Sequence, residues 1–151
     1  MDIMMATEKD FDAVKRITQS TIQAIYPKYY PTGAVDYFIN HHSDENISRD
    51  IADGKAYLLR VDGRNIGTVT VNGNEIDRLF VLPDFQNNGY GRVLIDFAEH
   101  MIKENYKDII LAASLPAKMI YRRYGYVEME YHIIETGNGD FLCFDMMKKE
   151  I

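Results

Sequence analysis

VLPDFQNNGYGRVLIDFAEH, residues 81–100, changes character twice along its length. It opens as the end of an apolar strand and passes through a loop holding Gly89 and Gly91. It then becomes a helix in which Val93, Phe97 and Met101 form one ridge and Leu94, Ala98 and Ile102 the adjacent one. Such a junction presents unpaired backbone N–H groups at a helix N-terminus, where the aligned peptide dipoles favour an anion. Glycine permits close approach to the backbone and torsions closed to other residues. A phosphate or pyrophosphate is therefore the expected ligand. Two nucleotide classes fail on spacing: no Lys follows Gly91, as a GxxxxGK loop requires, and Leu94 stands at the third glycine of GxGxxG.

Upstream of this stretch, KAYLLRV, RNIGTVTV and NEIDRLFVL are strand candidates. They are joined at Asp62-Gly63 and Asn72-Gly73, dipeptides suited to the positive φ angles of tight hairpins, so an antiparallel meander is expected. Further back, DIMMA suits a short first strand, and Thr7 stands as the N-cap of a helix carrying Phe11, Val14, Ile17, Ile22 and Ile25. Pro27 ends that helix. Pro31 starts a second, whose Val35, Phe38, Ile39 and His42 share a face, and Ser43 caps a third that stops at Gly54. Downstream, DIILAA reads as a buried strand. Ser114 and Pro116 open a short helix that stops at Gly125, and YVEMEYHII and DFLCFDMM form a last hairpin across Gly137-Asn138-Gly139. The order is β-α-α-α-β-β-β-α-β-α-β-β.

No repeat, linker or low-complexity tract interrupts the chain. Its 151 residues, 46% apolar or aromatic and 26% charged, have the composition of one soluble domain spanning 1–151. No apolar run approaches the ~20 residues of a membrane span, and the start carries acids where a signal peptide is basic and then apolar, so a cytoplasmic, non-membrane protein is expected. The single cysteine, Cys143, removes disulfide frameworks and multi-cysteine metal sites and reads as a buried structural thiol. Seventeen Lys and Arg against 23 acids, a net charge of −6, argue against nucleic acid and favour a cationic small substrate.

QNNGYG (86–91) is similar to the Q/R-x-x-G-x-G/A signature of the GNAT superfamily of N-acetyltransferases, and the LFVLP before it to the common L-Y-V-x-P. A second segment, SLPAKMIYRRYGY, resembles the superfamily's N-x-x-A-x-x-x-Y-x-x-x-G-F stretch. The resemblance follows element order through nearly the whole chain and is sharpest from about residue 75 to 127. It implies a single-domain α+β fold, a mixed, mostly antiparallel sheet of about seven strands splayed between the fourth and fifth, and acetyl-CoA as co-substrate. Gln86, Asn87, Asn88, Gly89, Tyr90, Gly91 and Arg92 would then hold the pyrophosphate. The strand edge at Phe80 and Val81 would pair with the pantetheine arm; Ala117 and Tyr121 would also contact the cofactor, and Ser114 would either hydrogen-bond it or cap the helix. Asn87 stands where many members have Gly, Asn88 where Lys or Arg is frequent, and Ser114 at the usual Asn. The anion is thus left to backbone N–H groups and Arg92.

Transfer of an acetyl group to an amine needs a base, because an alkyl ammonium has a reference pKa near ~10.4. Glu75 and Asp77 lie two apart on the strand before the loop and share a face if the strand is regular. Glu75 falls where the histone-acetyltransferase branch carries its base; Asp77 is the alternative, and either could instead be a solvated carboxylate paired with Arg78 or Arg64. Tyr121 matches the family tyrosine that donates to the coenzyme A sulfur, with Tyr124 one turn away as substitute or packing residue. Tyr26, Tyr29, Tyr30, Tyr37, Phe38, His41 and His42 belong either to an acceptor pocket or to the core of a helical hairpin. No metal is expected, since adjacent His41 and His42 would point about 100° apart on a helix and no partner ligand is evident. The reading is an N-acetyltransferase working by direct attack on a small-molecule or peptide amine. A non-catalytic coenzyme A sensor and a nucleotide-binding regulatory domain are the alternatives, and a homodimer is compatible with the resemblance.

Overall fold

Asp62 and Gly63 take φ angles of 49° and 75°, the paired positive values that a two-residue hairpin needs. In the computed structural model, which describes residues 1–151, they join β2 (Ala56–Val61) to β3 (Arg64–Asn72), and β4 (Glu75–Val81) follows in the same antiparallel meander. β1 (Asp2–Met5) pairs antiparallel with β2. β5 (Asp108–Ala113), β6 (Val127–Glu135) and β7 (Phe141–Glu150) complete a seven-stranded sheet of order β1-β2-β3-β4-β5-β7-β6. The two halves meet at one parallel pair, Glu75 opposite Ile110; every other neighbour is antiparallel.

Alternation along the strands builds two cores. Leu59, Ile66, Val69 and Ile76 face one side, where Leu94, Ile95, Ala98 and Ile102 of α4 (Tyr90–Ile102) cover them. Leu58, next to Leu59, faces the other with Phe80 and Leu142. That side is covered by Val14, Ile17 and Ile22 of α1 (Phe11–Ile25), by α2 (Thr32–His41), and by Ile47 and Ile51 of α3 (Asp44–Ala52). Each fully buried Leu or Ile contributes roughly 1.5–3 kcal/mol. α5 (Leu115–Arg123) lies between β5 and β6 in the chain. The α4 ridge of Leu94, Ala98 and Ile102 is the buried one, and Val93, Phe97 and Met101 pack at its margin.

The helical starts differ in detail. Thr7 caps a 3-10 turn, Glu8–Asp10, and not α1 itself: its N–H and hydroxyl donate to the Asp10 carboxylate at 2.9 and 3.1 Å, which tightens the chain before the α-helix begins. Ser43 does cap α3, its Oγ accepting from Asn46 N–H at 3.2 Å. Cys143, expected to be buried, is half-buried on β7, and as the single cysteine it is free. No helix is long and apolar enough to cross a membrane.

Thr18 on α1 is fully buried and its hydroxyl has no hydrogen-bond partner. An unpaired buried hydroxyl is a liability, and valine has nearly the same shape. Thr18→Val should therefore leave stability unchanged or raise it by up to about 1 kcal/mol in urea unfolding; a loss of that size would show that the hydroxyl is bonded.

Candidate functional site

Past Glu75, β4 and β5 diverge, and the cleft between them opens toward the starts of α4 and α5. The Leu82 N–H is used by Ile66 C=O on the β3 side, so alternation along the ladder turns the Val81 amide toward the cleft. The Val81 carbonyl accepts from Gln86 Nε2 at 2.9 Å, which ties the loop to the strand end. Asn88 donates to the carbonyls of Phe85 and Gln86 at 3.2 and 3.0 Å, an internal brace in place of a charge. Asn87 and Gly89 adopt left-handed φ angles of 63° and 84°. Gly91 does not; a Cβ there would meet nothing within 4 Å, so its smallness keeps the front of α4 open. The loop thus aims backbone N–H groups at open space, a cradle suited to a pyrophosphate.

Arg92 is not a free cation. Its Nε pairs with Asp96 at 2.8 Å and its guanidinium lies over the Tyr124 ring at 4.4 Å, so Tyr124 serves as its platform. Tyr90 and Ala117 pack against the α4-side core. On the opposite wall, the Ser114 hydroxyl interacts with the Tyr26 phenol, which burial raises to about 12. The Tyr30 hydroxyl accepts from Leu115 N–H at 2.7 Å. Tyr26, Tyr30, Phe38 and Phe80 form one aromatic cluster with ring centroids 4.7–6.3 Å apart, so these members of the first helices are core side chains. Tyr29 and Tyr37 are exposed.

Glu75 and Asp77 share a face, as alternation requires, and both are half-buried. Burial raises the Glu75 carboxyl above the usual range, the Asp77 charge adds to this, and His41 opposes it. Neither carboxylate forms an ion pair with the guanidinium of Arg78 or Arg64, although Asp77 accepts from the Arg78 backbone N–H at 2.8 Å. Arg64 lies over the Phe85 ring. Arg78 sits in a bulge, where β4 spends two residues opposite Val69, and takes a φ of 44°. That turn sends its buried guanidinium to Asp50 on α3 (2.8 Å), Thr70 Oγ1 (3.0 Å) and His42 Nδ1 (3.3 Å). Tyr121 on α5 is buried in the α4-side core, its ring 5.8 Å from that of Tyr126; desolvation raises its phenol well above the ordinary value, with smaller contributions from Tyr26, Asp77 and Tyr124.

His41 and His42 do come together, with ring centroids 4.9 Å apart, because α2 ends at His41 and His42 leaves helical torsions. A ring nitrogen of each and an Asp77 oxygen lie within 4.8 Å of one another. The separation expected from an ideal helix does not apply at its last residue, and Asp77 is the partner that the sequence pattern did not reveal. As a metal centre the set is poorly suited: Arg78 brings a buried positive charge and occupies the lone pair of His42 Nδ1. Arg78, Asp50 and His42 are members of the site with no local motif; only the bulge brings them together.

Comparison with known proteins adds four findings. Residues 25–151 match the family model described as an acetyltransferase (GNAT) domain. A protein of Lactobacillus delbrueckii subsp. lactis, described as an uncharacterized N-acetyltransferase in the pepI 3' region, is 25% identical over 162 aligned positions, covering 93% of this chain and 94% of its own. A GCN5-related N-acetyltransferase structure from Rhodopseudomonas palustris superposes with a TM-score of 0.88 at 21% identity, covering 99% of this chain and 95% of that one. The PaiA N-acetyltransferase of Thermoplasma acidophilum, solved with coenzyme A, gives 0.73 at 17% identity, covering 99% and 98%. At these identities the structures speak for the fold.

The two loop glycines should separate by substitution. Gly89→Ala forces a side chain into the left-handed region and should cost about 1–2 kcal/mol of stability, whereas Gly91→Ala should cost only a few tenths or nothing. Urea unfolding of both variants measures this, and equal losses would contradict the assignment.

Proposed function

The chain belongs to the GNAT family of acetyltransferases, whose members use acetyl-CoA, and from that premise we propose direct acetyl transfer to a primary amine in a ternary complex. What supports the reading is the edge that β4 leaves open past Glu75, next to the loop before α4, with the half-buried Glu75 on that same strand. The loop amides of Asn88–Arg92 and the edge of β4 at Phe80 and Val81 bind the co-substrate. An amide-bearing arm adds to such an edge as a peptide strand would. The Val81 N–H is the donor we assign to the thioester oxygen as charge develops there.

Glu75 accepts the proton of the attacking amine, directly or through water. A carboxyl held above its ordinary range is a stronger base near neutral pH than a solvated one. The amine nitrogen then forms the bond to the acetyl carbon, and the carbon–sulfur bond breaks. Tyr121 donates to the departing sulfur. Its raised phenol stays protonated through the working range, so it begins each turnover as a donor. It surrenders the proton less readily than a thiol, whose ordinary pKa is ~8.5, so its main effect is a hydrogen bond to the developing thiolate. Acidic side chains at the amine side and a net charge of −6 favour a cationic acceptor, a small amine or a peptide amino group.

Turnover of acetyl-CoA across amines, amino acids, polyamines, aminoglycosides and peptides tests this reading through release of free thiol. Tyr121→Phe should lower kcat by about 10–100-fold while coenzyme A binding is retained. Absence of turnover by the intact protein on the whole panel, with binding intact, would favour a coenzyme A sensor. Stronger thermal stabilisation by ATP or NAD than by acetyl-CoA would overturn the loop assignment. The acidic limb of kcat/KM should lie above the ~4.3 of an ordinary Glu, because the working base must lose its proton first; Glu75→Gln should abolish that limb.

A further inference from the structure

Eight of the fourteen exposed large apolar side chains lie between residues 115 and 141, on α5 and the β6–β7 hairpin. Along β6 the run Tyr131-His132-Ile133-Ile134 is apolar on both faces, and only one of them is covered. Ile134 and, across the ladder, Leu142 and Phe144 pack on the side of α1, α2 and α3. Tyr131 and Ile133 belong to the opposite face, paired with Asp145 and Cys143, and Phe141 follows on the same side of β7. All three are more than half exposed. α5 borders this face, since Lys118 Nζ meets Asp145 at 2.7 Å and Arg122 Nε meets Glu128 at 2.7 Å. Leu115 and Met119 share that stripe of the helix and are open as well.

We propose that two copies of this chain associate about a two-fold axis through this face, with Leu115, Met119, Tyr131, Ile133 and Phe141 at the centre of the contact. The five side chains, 49% to 62% exposed, leave roughly 600 Å² open, at the upper end of what a monomer shows; with a polar rim the face reaches the ~800 Å² per partner of a stable interface. Charge selects the occupant. Each chain carries a net charge of −6, so two copies repel over most of their surface. Here the carboxylates of Glu128 and Asp145 are neutralised by Lys118 and Arg122, so like-charged copies meet without that penalty. A two-fold contact sets a patch against itself, and an apolar centre with a balanced charged margin is complementary to itself. β6 is also the last strand of the sheet, and its nine residues include neither Lys nor Pro, the usual guards of an open edge. The bulge between Glu128 and Glu130 disturbs only its start. The association does not depend on the chemistry assigned to the cleft.

Sedimentation equilibrium of the intact chain from about 1 to 100 μM reads the association directly. The mass should rise toward twice the 17.5 kDa of one chain. Ile133→Glu puts an unpaired charge into the centre of the face and should weaken association at least about 30-fold. Tyr106→Ser, at an exposed tyrosine elsewhere on the surface, should leave it unchanged. Raising NaCl to about 0.5 M should not dissociate the copies, because the contact is apolar. Far-UV circular dichroism shows that each variant is folded. Hydrogen–deuterium exchange of the wild type at the two ends of the concentration range needs no variant: the amides of residues 130–135 on β6 should gain protection at the upper end. A wild-type chain that stays monomeric at the highest concentration would leave the face to a different partner and overturn the proposal. So would a folded Ile133→Glu that still associates, an equal loss in Tyr106→Ser, dissociation by salt, or concentration-dependent protection confined to other elements.

Discussion

Between Glu75 and Ile110 the sheet makes its one parallel contact, and beyond that pair β4 and β5 part. The rest of the site depends on this interruption. A continuous ladder would have used the backbone groups on the β5 side of β4, leaving no edge for an amide-bearing ligand. The bulge at Arg78 sits where β4 has already left its partner, so its extra residue disturbs only the β3 side. There it gives two consecutive residues, Asp77 and Arg78, reach toward the end of α2. One backbone irregularity thereby accounts for both the buried Arg78–Asp50 pair and the position of Asp77 near the histidines.

A sheet joined at a single parallel pair needs other ties. Tyr30 receives the Leu115 N–H, Tyr26 meets Ser114, and Gly33 N–H donates to Asp140 on the last hairpin turn at 2.9 Å. The connection between α1 and α2, which packs on β4 through Phe80, thus also grips the β5–β7 half. A Cβ at Gly33 would lie 1.9 Å from Asn138 Oδ1, a measure of how closely this second grip is made. These contacts of the first helices tie the two halves of the sheet to each other across the point where β4 and β5 part.

Element order, the meander and the loop were legible because each has a local cause: the dipeptide at Asp62-Gly63, the period-two runs of β2–β4, the glycines before α4. The expectation of a splayed sheet came with the GNAT resemblance, and β4 and β5 meet at one register pair. What the residues could not reveal is non-local. Nothing around Arg78 in the sequence marks its positive φ; the residue is held there by partners distant in the chain, Asp50 among them. His41 and His42 read as divergent because helix periodicity was extended through a residue that ends the helix. The partners of Arg92 are likewise not marked by the loop motif: Asp96, four residues on, pairs with its Nε and Tyr124 lies under its guanidinium.

The central claim is that the unpaired edge of β4 and the α4 loop together form the coenzyme A site. Hydrogen–deuterium exchange with and without coenzyme A tests it residue by residue. The amides of Leu79–Val81 and Asn88–Arg92 should gain protection together, with little change in β1–β3. Protection confined to the loop, or appearing elsewhere while β4 continues to exchange, would contradict the account.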